Sequence, residues 1–136
     1  MNRQTSGRIG ESLALDYLRK KGYSIVTSNY TVRGGELDAV VLKGGVLVFV
    51  EIKAKTSIKN GAPAKEITQA KKAALYRTAM QFIKLNGQNK KVKASLFGIP
   101  LYRRYRSIRF DLVEILIEGQ GIKRLIHTKN IIKTEK

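Results

Sequence analysis

The sequence contains no cysteine, which removes disulfide bridges, thiol nucleophiles and cysteine metal sites together. A chain without cysteine fits a reducing compartment, and this one is expected to be cytoplasmic. Histidine is nearly absent too. With His127 alone, no multi-histidine metal site can be assembled, and that residue is expected to be structural. No uninterrupted apolar run reaches 18 residues, so no membrane-spanning helix is expected. The opening MNRQTSGRIGES has no apolar stretch of signal-peptide type, and no GxxxxGK[ST] phosphate loop occurs anywhere. Acidic residues are scarce: 10 Asp/Glu stand against 27 Lys/Arg, for a net charge of +17.

What is present is enough for one domain over residues 1–136, with 43% hydrophobic residues to build a core. The positive charge is unevenly spread. Residues 59–110 hold 13 Lys/Arg and a single acid, Glu66. Such one-sided charge destabilises a compact chain by self-repulsion, and it is the footprint expected of a polyanion partner. Nucleic acid is therefore the expected partner, DNA ahead of RNA, and a membrane is not.

In chain order, Ile9, Leu13, Ala14, Tyr17 and Leu18 recur at helical spacing and predict a helix over 6–21, capped by Ser6 and ended by Gly22. Glu11 falls at the semi-buried edge of its apolar stripe. Residues 23–29 read as a short strand, and a polar loop follows residue 55 as far as Pro63, through Asn60-Gly61. A second helix is predicted over 64–85, with Ile67, Leu75, Ala79, Phe82 and Ile83 inside. Its other side, with Lys71, Lys72 and Arg77, makes a basic wall for a phosphate backbone. Residues 86–106 carry Lys90, Lys91, Lys93, Arg103, Arg104 and Arg106 interleaved with Tyr102 and Tyr105, and no acid. This stretch is expected to be a basic loop or an extended hairpin arm reaching over the substrate, able to stack on bases and grip phosphates. Residues 107–118 and 122–127 read as returning strands. Asp111, set among hydrophobics, either joins a metal site or, as the preferred reading, pairs with a nearby arginine.

The chain is organised around residues 35–55, GELDAVVLKGGVLVFVEIKAK. Gly44-Gly45 between two apolar runs is a two-residue hairpin signal, because such turns need positive φ at both central positions. From that turn, pairing runs outward through Lys43/Val46 and Val40/Phe49. The same register sets Asp38 opposite Glu51 and Glu36 opposite Lys53, with Leu47, Phe49, Glu51 and Lys53 on one face. Carboxylates facing one another across a ladder repel, so Asp38 and Glu51 call for a counter-charge. A divalent metal is the economical one. Hard oxygen ligands suit Mg²⁺ or Mn²⁺, which lowers the pKa of a bound water and neutralises charge on a phosphoryl oxygen. Glu11 would complete or orient that site, and Lys53 would assist the attack. The chemistry these residues support is metal-dependent phosphodiester hydrolysis.

The order helix Glu, strand Asp, strand E-x-K resembles the PD-(D/E)XK nuclease superfamily. More closely, the chain resembles the YraN-type family of small bacterial proteins. The likeness rests on Gly10-Glu11, Ala14, Tyr17-Leu18, Gly22-Tyr23, Asn29, GELD at 35–38, FVEIK at 49–53, Pro63, Lys71 and RFD at 109–111. It implies a restriction-endonuclease-like fold with Glu11, Asp38, Glu51 and Lys53 as the catalytic set, and it marks Lys71 and Asp111 without giving them roles. Where the family carries an arginine after E-x-K, this chain has Lys55. Against the family's short connection before RFD, residues 86–106 read as an added arm.

The expectation is thus an α/β domain with a restriction-endonuclease-like core: a mixed β-sheet with a central antiparallel hairpin, flanked by helices. Its expected function is that of a Mg²⁺- or Mn²⁺-dependent DNA endonuclease selecting branched or flapped structures. Two-fold substrates would favour a homodimer. The alternatives are a non-catalytic DNA- or RNA-binding module on a nuclease-like fold and an RNA- or ribosome-associated basic protein.

Overall fold

The computed structural model describes residues 3–56, 67–96 and 98–133. The expected polar loop at 56–63 and the start of the second helix at 64–66 lie largely outside them. Among these residues two α-helices and seven strands follow one another as α1 (Arg3–Lys20), β1 (Ser24–Val32), β2 (Gly35–Lys43), β3 (Val46–Thr56), α2 (Gln69–Asn86), β4 (Lys91–Leu96), β5 (Ile99–Arg104), β6 (Ser107–Glu118) and β7 (Gly121–Thr128). The strands form one sheet in the order β5-β4-β1-β2-β3-β6-β7. Every neighbouring pair is antiparallel except β3 and β6, which run parallel from Val46/Ser107 to Thr56/Ile117. This is a mixed, mostly antiparallel sheet, as the alternation of the sequence predicts.

The central hairpin forms as the glycines dictate. Gly44 and Gly45 take φ of 60° and 78°, which side-chain-bearing residues rarely adopt, and Lys43 pairs with Val46 across the turn. Beyond it, β3 alternates cleanly. Leu47 and Phe49 pack with Leu75, Phe82 and Phe110 on the α2 side, and Val48 and Val50 pack with Ala14, Leu18 and Val113 on the α1 side. The two helices therefore cover opposite faces. Phe49 stacks on Phe110 with ring centroids 5.3 Å apart and meets Phe82 edge-on at 6.0 Å. Burying each such ring contributes about 2–3 kcal/mol.

Helix α1 begins at Arg3, three residues before the expected cap at Ser6. It ends as expected: the Gly22 amide bonds Arg19 O and the Tyr23 amide bonds Leu18 O, a left-handed glycine closure. Gly10 allows α1 to touch β3, since a Cβ there would overlap that of Ala54. Helix α2 is capped by Thr68, whose hydroxyl accepts the Lys71 amide at 3.1 Å. The segment 86–106 is mostly strand: a single helical turn at Gln88–Lys90 leads into the β4–β5 hairpin. No helix among the described residues is long and apolar enough to cross a membrane.

The hairpin does not reach over the central carboxylates. It joins the sheet at Ser95/Ile25, near the start of β1 and the Gly44-Gly45 end. Because β4 runs antiparallel to β1, its tip leads away from Asp38 and Glu51.

Candidate active site

Asp38 sits where β2 changes phase. Leu37 packs with Val40 and Leu42 on the α2 side, whereas Ala39 and Val41 pack on the α1 side, so the two-residue alternation breaks at position 38. Across from it on β1, Asn29 adopts a left-handed φ of 52°, a conformation asparagine tolerates better than most residues. The β2–β3 pairing ends at Ala39/Val50, one residue short of the expected Asp38/Glu51 pair and three short of Glu36/Lys53. Instead of facing Glu51 across a ladder, the Asp38 carboxylate accepts the backbone amide of Ile52 at 2.8 Å. A side-chain oxygen takes a place that a ladder carbonyl would otherwise fill.

The Asp38 carboxyl nonetheless feels the charge of Glu51. Burial raises the Asp38 carboxyl, and the charge of Glu51 raises it further, with a smaller push from Glu36; the Ile52 amide and Lys71 pull the other way. The outcome is a carboxyl pushed up to about 6, a group that holds a proton far above the ordinary aspartate range. Glu51 is only 8% exposed. Its carboxylate lies 3.4 Å from the Lys71 ammonium, which reaches over from the first turn of α2. Between them opens a cleft of about 410 Å³ lined by Thr31, Gly35, Glu36, Glu51, Lys71 and Thr78. Gly35 lets the strand approach α2, since a Cβ there would strike the Thr78 side chain, which is itself held by its hydroxyl donating to Ala74 O at 2.9 Å. Thr31, Gly35 and Thr78 were not among the expected site residues. Only the glycine pair before E-L-D hinted at a close approach.

Glu11 stands apart from the pair. Its carboxylate accepts a hydrogen bond from the Asn29 amide group at 2.8 Å, and among the described residues no three acidic or histidine side chains converge tightly enough to hold a metal. The expected trio of Glu11, Asp38 and Glu51 is therefore not assembled. The reason lies in the helix: α1 covers the face of β3 opposite to Glu51, and Asn29 intercepts the Glu11 side chain. Lys53 is half-buried on the Glu51 side of β3, with Glu114 as its lateral neighbour on β6. Lys55 follows on the same side, exposed.

Asp38 and Glu51 suit a divalent cation by their chemistry. Mg²⁺ and Mn²⁺ are commonly held through one or two carboxylates with several waters retained. A carboxyl whose proton is retained chiefly through burial and a neighbouring carboxylate is one that a cation would discharge.

The expected nucleic-acid contacts divide into two sorts. Lys71 is engaged with Glu51, Arg103 donates to Ser24 Oγ at 3.3 Å, and Arg106 donates to Gly44 O at 3.3 Å while its backbone amide bonds Gly45 O. Arg103 and Arg106 therefore fasten the hairpin to the sheet. Lys90, Lys91, Lys93 and Arg104 are exposed, and Lys72 is half-buried on α2.

Asp111 is fully buried on the α1 face and cannot join the Asp38 site. It receives two hydrogen bonds from Arg109 at 2.8 Å, one from the Asn130 amide at 3.0 Å, and contacts His127 Nε2 at 2.8 Å, as the preferred arginine pairing predicts. Burial alone would raise its carboxyl. The Arg109 and His127 side chains and the Asn130 amide outweigh that and hold it at about 2. His127 Nδ1 meets the Tyr17 hydroxyl at 2.8 Å, tying α1 to β6 and β7, so the lone histidine is structural as expected.

Comparison with known proteins gives one consistent result. The family model described as "Uncharacterised protein family UPF0102" matches residues 10–115. A UPF0102 protein of Pelotomaculum thermopropionicum is 38% identical over 129 residues, 94% of this chain and 95% of that protein. One from Syntrophomonas wolfei is 38% identical over 130 residues, covering 96% and 98%, and one from Carboxydothermus hydrogenoformans is 44% identical over 86 residues, covering 63% and 73%.

Proposed function

The chain belongs to the UPF0102 family, the YraN-like family its motifs resemble, and on that premise we propose that it is a Mg²⁺- or Mn²⁺-dependent DNA endonuclease with a restriction-endonuclease-like core. The observation that carries this reading is Glu51 lining a cleft with Asp38 behind it, the Asp38 proton affinity being raised by burial and by the Glu51 charge.

In this reading Asp38 and Glu51 would hold the cation, which would supply a low-pKa water and neutralise charge on a phosphoryl oxygen. The Ile52 amide fixes one Asp38 oxygen and so sets the direction of the other. Lys53, on the Glu51 side of the strand, assists attack or neutralises the charge that grows on the phosphate. Lys71 balances Glu51 in this structure and would be free to meet a substrate phosphate if a cation took its place beside Glu51. Glu11, with Asn29, buttresses the kinked strand beside Asp38 instead of serving as a ligand.

A second reading is a DNA- or RNA-binding module without turnover, and the separation of Glu11 from the pair is the observation that favours it. A labelled panel of duplex, single strand, flap and four-way junction, incubated with Mn²⁺ or with EDTA, separates the two. Products that need Mn²⁺ support the nuclease and name its preferred structure. Salt-sensitive binding with no product on any substrate supports the module.

A further inference from the structure

A second charged surface lies away from the cleft, on the β4–β5 hairpin, where Lys91, Lys93 and Arg104 are exposed. In the β4–β5 hairpin, Lys91 lies directly opposite Arg104, and Lys93 lies opposite Tyr102 with its ammonium 5.8 Å from the ring centroid. Like charges placed opposite one another on a ladder destabilise it, and no acid occurs between residues 67 and 110 to relieve them. Val92 and Ala94 alternate with the two lysines and are buried on the α2 side, so Lys91 and Lys93 point to the other face. Helix α1 packs chiefly over β1, β3 and β6, and among the described residues Lys91, Lys93, Tyr102 and Arg104 are exposed. Tyr102 is 73% exposed, far more than a tyrosine with a packing role.

We propose that Lys91, Lys93, Tyr102 and Arg104 form a ribbon that binds duplex DNA, separately from the carboxylate cleft. Two antiparallel strands fit the width of the B-form major groove, whereas the deep, narrow major groove of A-form RNA excludes side chains. Lysine, arginine and the tyrosine hydroxyl are all phosphate-binding groups, and together they fix a duplex without reading its sequence. The ribbon is three strand positions from β3, about 14 Å at 4.8 Å per strand, and faces the opposite side of the sheet. It therefore meets a part of the substrate several base pairs from the bond placed in the cleft. In the proposed nuclease, the ribbon holds the double-stranded arm and the cleft receives the strand to be cut. The cutting half of this statement rests on the proposed function; the binding half does not.

The test is equilibrium binding in EDTA, where turnover cannot intervene. Fluorescein-labelled 20-base-pair DNA, the corresponding single strand and the corresponding double-stranded RNA are titrated with the parent chain, with Lys91→Ala/Lys93→Ala/Arg104→Ala, and with Tyr102→Ala. Lys123→Ala/Arg124→Ala/Lys129→Ala, an equal charge loss in and just after β7 at the other sheet edge, serves as control. The ribbon variant should bind duplex DNA at least tenfold more weakly, and its slope of log affinity against log salt should fall by about 2–3, near 0.9 per lost phosphate contact. The control should change the slope by less than one. Tyr102→Ala should weaken duplex binding two- to fivefold with no change in slope. Circular dichroism should show the ribbon variant at least as stable as the parent, since opposed charges have been removed. Equal losses in ribbon variant and control, or a larger loss on single strand or on RNA than on duplex DNA, would overturn the proposal. Absence of cleavage on every substrate would bear on the nuclease reading and leave this measurement intact.

Discussion

The Lys71 ammonium and the Glu51 carboxylate lie 3.4 Å apart across the mouth of the cleft, one supplied by α2 and the other by β3. Glu51 is nearly buried and Lys71 is about half exposed, so the pair is screened on one side only. Its value is local neutrality: beside a second carboxylate, Glu51 needs a cation, and without metal Lys71 is that cation.

Lys71→Met should therefore strengthen Mn²⁺ binding several-fold, as a competing positive charge is gone, while lowering cleavage at saturating metal. Calorimetric titration with Mn²⁺ reads the first effect and a gel assay the second. Weaker Mn²⁺ binding in the variant would show that Lys71 does not compete for the same carboxylates.

The raised Asp38 carboxyl sets a pH dependence for metal binding. With Asp38 at about 6, a proton competes with the cation below that pH, and apparent Mn²⁺ affinity should fall by about tenfold per pH unit as pH drops below 6. The same shift acts on stability with a definite sign. The folded value lies above the unfolded one, so ionising Asp38 costs nothing below about pH 4, grows between pH 4 and 6, and is complete above 6. Asp38→Asn should then raise stability at pH 7 by on the order of 2 kcal/mol and remove the pH-dependent part of Mn²⁺ binding. Urea denaturation at pH 5 and pH 7 measures the stability difference.

Asp111 carries the opposite sign. Its folded value of about 2 lies below the unfolded one, so its stabilisation is present above about pH 4 and is lost as pH falls from 4 towards 2. Because Asp111 is fully buried and Arg109 is its partner, Asp111→Asn should cost about 3–5 kcal/mol, the usual consequence of orphaning a buried charge. Denaturation curves across pH 2–7 for parent and variant should converge at the acid end.

Gly35→Ala should destabilise the chain by about 1–3 kcal/mol, since the new methyl meets the Thr78 side chain at the floor of the cleft. Thr78→Ala in the same molecule should recover most of that loss, because the two positions contend for one space. Additive losses in the double variant, read from thermal melts, would contradict the contact.

Much of this architecture was legible because each signal was local. Gly44-Gly45 demanded a tight hairpin, and the period-2 run from Leu47 to Val50 fixed which side chains face which helix. The pairing of Asp111 with Arg109 followed from a carboxylate set among buried hydrophobics. The interaction of Asp38 with Glu51 was legible in the sequence, but not its geometry. The left-handed turn at Asn29 and the phase break at Asp38 depend on the contact between β1 and β2, which no single stretch encodes. The position of Glu11 failed for a similar reason. Helical periodicity placed it at the edge of a buried stripe, but not on which face of the sheet the stripe would lie, nor that Asn29 would hold it. Charge counting found the basic segment 86–106. It could not separate Arg103 and Arg106, which fasten the hairpin, from Lys91, Lys93 and Arg104, which point outward.

The central claim is that Asp38 and Glu51 act together on a phosphodiester through a divalent cation. Its most direct measurement is cleavage of a labelled four-way junction by the parent and by Glu51→Gln, with Mn²⁺ and with EDTA, alongside binding of the same junction in EDTA. The account predicts Mn²⁺-dependent products from the parent, at least a hundredfold less from Glu51→Gln, and equal junction binding by both. Equal cleavage by the two proteins, or products that persist in EDTA, would contradict it.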